Sequence, residues 1–350
     1  MRVLISGNIF PDSFARNIAV TLERQGHAVL TVEESGARLD QNSLRSRVSS
    51  TLARAFPQVE RRLNRRLVRA VENFQPNLVL AAHGSLPVEV VREMKLASDA
   101  KIAAWFPDAL LNLGRQYLLA SDYDAEFFKD PYMVETFRTK LGINAHYLPE
   151  ACNPLWHHRV DLNQEETRTY GCDLTTVGNM YYYRARMLEP FKDYDVKIWG
   201  KSYPLWLNSP LRSCYCDVYV GEIEKAKAFN GAKIVLNTMH YAEITGVNCR
   251  LFEAAGCGAF QIADWKPGLP ELFEPEHEIV TFHTRKELKE KVNYYLARPE
   301  ERQEIADRAY ARAQREHTYE VRLRQMFEVL GLTWKTASNP ESTARPVKVA

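Results

Sequence analysis

The sequence predicts an α/β protein built from two doubly wound parallel sheets in tandem. Short apolar, β-rich runs alternate with longer amphipathic segments from end to end, the pattern of parallel strands wrapped by helices. The 350 residues exceed what one hydrophobic core usually organises, so two domains of roughly 150 residues each are expected. The strand-like runs also start afresh after a polar interval in mid-chain, with no repeat of sequence.

In the first half the strand candidates are Val3–Ser6, Ala28–Val32, Asn77–Ala82, Lys101–Phe106, Glu126–Lys129 and Ala145–Leu148, with helices between them. The run from Glu150 to His158 and the aperiodic polar stretch Asn163–Thr169 read as a linker. Strands resume at Cys172–Val177, Val196–Trp199, Lys233–Asn237, Ala259–Ala263 and Ile279–Phe282, and helical periodicity returns from Arg285 to Leu330. The expected domains are therefore 1–160 and 170–317, followed by a helix at 318–335. Residues 336–350, rich in Ser, Thr and Pro, have too little apolar surface to fold and are expected to be a disordered tail. Two such sheets place the carboxyl ends of their strands around an expected cleft, where ligands of this fold class bind.

Apolar residues make up 45% and charged residues 26%, enough for two cores, and the net charge of +2 gives no field that argues for nucleic acid or a membrane surface. Six scattered cysteines fit a reduced compartment better than a disulfide framework, and Cys214 and Cys216 lack a second pair at zinc-ligand spacing. No basic-then-apolar leader precedes the first strand, and no apolar run approaches about 18 residues. The expected location is cytoplasmic.

The most informative stretch is Thr245-Gly246-Val247-Asn248-Cys249-Arg250-Leu251-Phe252-Glu253, running on to Gly256-Cys257-Gly258 and a strand. Gly246 and Asn248 precede a helix, whose free backbone N–H groups suit an anion such as a diphosphate. Arg250 adds a fixed positive charge in the first turn. Glu253, three residues on along the same face, is placed to accept hydrogen bonds from ribose hydroxyls. Read as structure alone, Arg250 and Glu253 would be a surface ion pair worth a few tenths of a kcal/mol.

Other candidates close strands. Gly178 and Asn179 end Cys172–Val177, where a glycine permits close backbone approach to a ligand, and Arg184 follows with a fork of donors suited to phosphate. Gly200 and Lys201 follow Trp199, and Asn237 closes its strand. In the first half Gly7 and Asn8 follow the first strand and are donor-site candidates, offering backbone groups to a diphosphate or to the acceptor. His83, before Gly84, and Asp108, after Pro107, are the catalytic candidates, as a base on an acceptor hydroxyl or a group that steadies the donor. Arg45 to Arg69 forms a basic amphipathic helix that reads as a solvated face, with peripheral membrane contact as its alternative. Tyr203, Trp206 and Tyr215 read as core packing, with stacking on a sugar or base as the other reading.

The Glu253–Gly258 segment, followed by Trp265-Lys266-Pro267-Gly268-Leu269-Pro270-Glu271-Leu272-Phe273, resembles the donor-site region of GT-B glycosyltransferases, specifically the CgeB-like, spore-maturation-type group related to glycosyltransferase group 1 (family 4). The likeness extends through Leu174–Asn179, Arg184, Trp199–Lys201 and Lys233–Asn237, and into the first half at Ala104–Asp108 and Tyr147–Ala151. It implies the GT-B fold, with two Rossmann-like domains facing a cleft, acceptor on the N-terminal side, nucleotide-sugar donor on the C-terminal side, and the helix at 318–335 crossing back to the first domain. Glu253 falls where the related families place the carboxylate that binds the nucleotide ribose, and Gly246 where a glycine loop meets the diphosphate. Thr245 departs from the pattern, because retaining members carry a second glutamate there.

The implied activity is metal-independent transfer of a sugar from a nucleotide-diphosphate sugar with no cofactor beyond that donor. The related enzymes retain the anomeric configuration, and Thr245 in place of their glutamate leaves retention and inversion both open. The acceptor stays open among a glycan, a lipid-linked or small molecule, and a protein; nucleic acid is not expected. A non-hydrolysing nucleotide-sugar epimerase and a non-catalytic nucleotide-sugar-binding protein remain as alternatives on the same fold. A dinucleotide-dependent dehydrogenase is disfavoured because no Gly-x-Gly-x-x-Gly follows either opening strand.

Overall fold

A computed structural model describes residues 1–33, 57–83, 86–112 and 116–334. The chain divides into two compact units, Met1–Pro149 with Tyr319–Ala350, and Glu150–Thr318.

The first unit holds six parallel strands, β1 (Arg2–Ser6), β2 (Ala28–Val32), β3 (Leu78–Ala82), β4 (Lys101–Phe106), β5 (Ala125–Phe128) and β6 (Ala145–Tyr147), in the order β2-β1-β3-β4-β5-β6. Every residue of β3 is buried, as expected of a strand covered by helices on both faces. The helices are α1 (Phe14–Arg24), α2 (Pro57–Phe74), α3 (Val88–Ala97) and α4 (Pro131–Leu141). Local chemistry sets their ends. The Ser13 hydroxyl accepts from the Arg16 amide at 3.3 Å to start α1, and Asp130 accepts from the Tyr132 amide at 2.9 Å to start α4, which stops at left-handed Gly142. Leu67 and Val71 of α2 join the core, whereas Arg62, Arg65, Arg66 and Arg69 face solvent, the solvated-face reading of that basic helix. Arg45, Arg47 and Arg54 lie outside the described residues, as does the expected tail 336–350.

The second unit opens with α5 (Gln164–Tyr170). Its strands are β7 (Cys172–Val177), β8 (Val196–Trp199), β9 (Ala232–Asn237), β10 (Gln261–Asp264) and β11 (Val280–Phe282), all parallel in the order β11-β10-β9-β7-β8. Between them run α6 (Tyr182–Leu188), α7 (Ile223–Asn230) and α8 (Cys249–Gly256), and α9 (Arg285–Leu296) and α10 (Pro299–Glu316) close the unit. The last helix, α11 (Tyr319–Val329), packs in the first unit. Phe327 stands edge-on to His27 at 5.4 Å, and Gln25 Nε2 donates to Glu320 at 2.9 Å. No described helix is long and apolar enough to cross a membrane.

Three expectations need correction. The stretch read as an aperiodic linker carries a helix, because Asn163 and Glu166 form a reciprocal capping box that starts α5, and Cys152, Asn153, Trp156 and His157 before it are buried. The expected strand Ala259–Ala263 forms two residues later, over Gln261–Asp264, because left-handed Gly258 and the Ala259 amide, bonded back to Ala254 O at 3.0 Å, complete the exit from α8 first. The expected Glu126–Lys129 forms one residue earlier, over Ala125–Phe128, and the other strands agree within one residue at each end.

Candidate functional site

In the second unit the chain runs from β7 to β8 on one side and then back past β7 to β9 on the other. β7 and β9 are therefore neighbours whose connections leave in opposite directions, and the ends of such strands form a natural ligand crevice. Gly178 follows β7 there and Asn237 closes β9.

Two arginines converge on this point. Arg184 on α6 and Arg250 in the first turn of α8 are 5% and 9% exposed. A Cβ added to Gly178 would lie 2.7 Å from Arg250 Nη2 and 3.2 Å from Arg184 Nη1, and the residue has φ +122°. That φ favours glycine, which lets both guanidinium groups lie close against the backbone. Arg184 Nε donates to Thr238 Oγ1 at 3.1 Å, its Nη1 donates to the Asn179 carbonyl, and the group lies 5.0 Å over the Tyr181 ring. Arg250 Nη1 donates to Asn237 Oδ1 at 3.1 Å. Among the described residues neither guanidinium has a carboxylate partner. Burial, and then the Arg250 charge, push the Arg184 guanidinium down to about 10. Buried charges are normally paired, so two unpaired cations side by side form a site that an anion would relieve.

A hydrogen-bond relay fixes the arrangement. Asn248 caps α8 by accepting from the Leu251 amide at 3.2 Å, and its Nδ2 donates to Asn237 Oδ1 at 2.9 Å. Asn237 Nδ2 donates to Gln261 Oε1 at 3.2 Å, and Gln261 Nε2 donates to the Leu251 carbonyl at 2.9 Å. Asn237 therefore turns its oxygen toward Arg250. The first amides of α8, at Cys249 and Arg250, have no carbonyl one turn back to bond, so the helix start adds donors beside the two cations. Gly246 and Val247 are buried in the approach to the helix, and the Thr245 carbonyl accepts from the Gly268 amide at 2.9 Å.

Glu253 is 6% exposed and pairs with Lys225 of α7, Nζ to Oε1 2.8 Å. The surface pair Arg250–Glu253 therefore does not form. Lys201 is also not drawn in: its side chain is exposed and among the described residues has no partner, and only its backbone carbonyl is held, by the Tyr215 hydroxyl. Gly200 is packed too tightly for a side chain, since a Cβ would lie 2.8 Å from the Gly178 carbonyl. Trp206 is 61% exposed, so the core reading fails for it, whereas Tyr215 is buried and edge-on to Tyr203 at 5.3 Å. Sequence reasoning missed Thr238, Gln261, Tyr181 and Lys225. Thr238 and Tyr181 adjoin residues it had singled out; Lys225 carries no local signal because its partner lies 28 residues away.

The first unit has its own switch point between β1 and β3. Gly7 follows β1, and a Cβ there would meet Ala15 Cβ at 2.9 Å and Ala82 Cβ at 3.0 Å, so α1 rests directly on the sheet. The Asn8 Oδ1 beside it is buried and has no partner among the described residues. His83 follows β3 with φ +95°, its Nδ1 2.8 Å from the Ala82 carbonyl and its ring edge-on to Phe14. Burial lowers its pKa, against the Ala82 hydrogen bond and the Asp108 charge, which raise it. The imidazole is thus neutral near pH 7, and Nδ1–H donation to Ala82 would leave Nε2 as an acceptor. Asp108, after the adjacent strand β4, accepts from the Ala109 amide at 2.7 Å. Gly84 lies outside the described residues.

Residues 184–328 match a family described as Glycosyl transferase-like. The spore protein CgeB of Bacillus subtilis (strain 168) is 26% identical over 264 residues, covering 69% of this chain and 78% of that protein. Among solved structures, sucrose-phosphate synthase from Thermosynechococcus elongatus superposes with a TM-score of 0.65 at 11% identity, covering 95% of this chain and 98% of its own. HepE of Anabaena in complex with UDP-glucose gives 0.64 at 11% identity, covering 95% and 99%. The chain has the GT-B fold and resembles CgeB and the Glycosyl transferase-like family. In this CgeB-like chain the family match begins at Arg184 and spans α8, so it contains both arginines, Asn237 and Glu253.

Proposed function

We propose that the chain transfers a sugar from a nucleoside-diphosphate sugar to an acceptor hydroxyl, without a metal ion and with no other cofactor. The observation that carries this reading is the pair of buried, carboxylate-free guanidinium groups of Arg184 and Arg250 at Gly178 and the start of α8. A leaving diphosphate needs its charge neutralised in the transition state, and two fixed cations with helix amides supply that in a desolvated setting. Glu253, oriented by Lys225, is suited to the ribose hydroxyls. In the reaction the bond from the anomeric carbon to the diphosphate oxygen breaks, a bond to the acceptor oxygen forms, and the acceptor proton passes to a base. His83, neutral and with Asp108 nearby in charge, is the proposed base, or a group that positions the donor sugar. Gly7 and Asn8 are proposed to offer polar groups on the same unit. Retention is the proposed stereochemical outcome, carried over from the related enzymes and read by NMR of the product anomer.

HepE is solved with UDP and with UDP-glucose, so uridine donors come first in the test. The full chain, in excess chelator, is expected to gain thermal stability with UDP or another nucleoside diphosphate or its sugar, because a ligand that binds only the folded state raises its apparent stability. Arg250→Ala removes a charge-assisted contact of about 1.5–3 kcal/mol and should weaken that binding at least about tenfold. Unchanged affinity in the variant would remove the arginine pair from the donor site, and binding that appears only with a divalent ion would remove metal independence.

A further inference from the structure

Seven exposed aromatic side chains occur among the described residues, and five of them, Tyr182, Tyr183, Trp206, Tyr219 and Tyr241, lie in or directly after the loops at the carboxyl ends of β7, β8 and β9. That concentration falls on the face of the sheet where α/β proteins bind ligands. The rings are organised. Tyr183 and Tyr241 have centroids 6.2 Å apart, Tyr241 and His240 4.2 Å, and His240 and Tyr181 5.0 Å, so the row ends beneath the Arg184 guanidinium. Trp206 stands 5.6 Å from Tyr182. Two phenols are tied down: Tyr182 Oη donates to the Trp206 carbonyl at 3.1 Å and Tyr183 Oη to Asp264 Oδ2 at 3.3 Å. The connection that carries Trp206 and Tyr219 runs from Gly200 to Glu222, longer than the usual two to six residues of a strand-to-helix connection, with a 3-10 turn at Pro210–Cys214 inside it.

We propose that this aromatic row is a saccharide-binding surface, and that the acceptor is a neutral glycan whose sugar rings lie on Tyr241, Tyr183 and Trp206. The proposal names the acceptor class for the glycosyl-transfer reading and rests on it, and it seats the glycan on the second unit, where the sequence led to expect the acceptor on the first. A pyranose has an apolar C–H face rimmed by hydroxyls. This surface offers flat, electron-rich ring faces rimmed by phenol, imidazole and the Asp264 carboxylate. Its charge points away from anionic partners: residues 178–181, 200–222 and 238–248 hold two basic side chains, Lys201 and Arg212, against three acidic ones, Asp217, Glu222 and Glu243. A nucleic acid or an anionic lipid surface would call for a basic surplus. Fixed rings with few rotatable bonds also lose little entropy on binding.

The test is native electrophoresis of the full chain through gels containing neutral polysaccharides (an α-glucan, a β-glucan and a galactomannan), with a UDP thermal shift run in parallel. At least one polysaccharide is expected to retard the protein. The double variant Tyr241→Ala, Trp206→Ala should need at least about tenfold more of it for the same retardation and should keep its UDP shift, which also shows that it is folded. Arg250→Ala should do the reverse, so failure of the donor reading and failure of the glycan reading give different results. The proposal is overturned if no polysaccharide retards the protein, if the double variant is retarded as before, or if that variant loses the UDP shift while retardation persists, which would assign the rings to the nucleotide.

Discussion

His83 sits at φ +95°, a conformation that costs a residue with a side chain about 1–3 kcal/mol and persists only where its surroundings impose it. The Ala82 carbonyl and the Phe14 ring impose it here. Because burial lowers its pKa, the imidazole stays unprotonated to more acidic pH than a free histidine. If it is the base, the acid limb of kcat/KM therefore lies below about pH 6.5. Asp108 opposes that lowering, so Asp108→Asn should move the limb further down, and His83→Ala should abolish it with a loss of about 10²–10⁴ in rate. A pH–rate profile with its limb unmoved in both variants would take the histidine out of the reaction. Its place at a strand end was readable from sequence; its positive φ was not, because nothing in the residues around it reports the packing that forces it.

At the scale of elements, β9 and β10 do more than carry a core. Asn237 and Gln261 lie diagonally on adjacent strands, Asn237 opposite Ala263 and Gln261 opposite Val235, and the Gln261 side-chain oxygen holds the Asn237 amide so that its oxygen meets Arg250. Gln261→Leu would keep the volume and delete both bonds of the relay, leaving Asn237 Nδ2 buried without its partner at a cost of about 1–3 kcal/mol. The freed amide would also be able to turn its NH2 toward the guanidinium. Nucleotide affinity is therefore expected to fall about tenfold, measured by titration below the variant's melting temperature; a loss of stability with affinity intact would confine Gln261 to a structural role. Most of this region was legible. Gly178, Arg184, Asn237 and Arg250 all follow strand ends or open a helix, where position in sequence fixes position in the fold. Gln261 lay inside the expected strand but was passed over because its partners, Asn237 and the Leu251 carbonyl, are 24 and 10 residues away, and α5 because a capping box at Asn163 and Glu166 was read as mere polarity.

At the scale of the molecule, two tandem sheets follow from alternating apolar runs, and that pattern is strong because fully buried parallel strands leave little freedom in composition. Which unit the last helix serves is a different kind of fact, since its apolar residues would suit either core. In the structure α11 belongs to the unit that the chain left at Pro149: Phe327 is fully buried against His27 and Trp334, and Tyr319 lies 6.1 Å from Phe14 and from Trp105. The first unit is thus completed only when the chain has finished the second. Phe327→Ala should cost it about 3–5 kcal/mol, on the order of 10 °C in its melting temperature for a domain of this size. Calorimetry with and without UDP separates the units, because the two arginines and the α8 amides proposed to hold the diphosphate lie in the second. The transition that ignores UDP should fall in the variant, and the one that UDP raises should keep its response. If neither transition moves, α11 is not part of the first core.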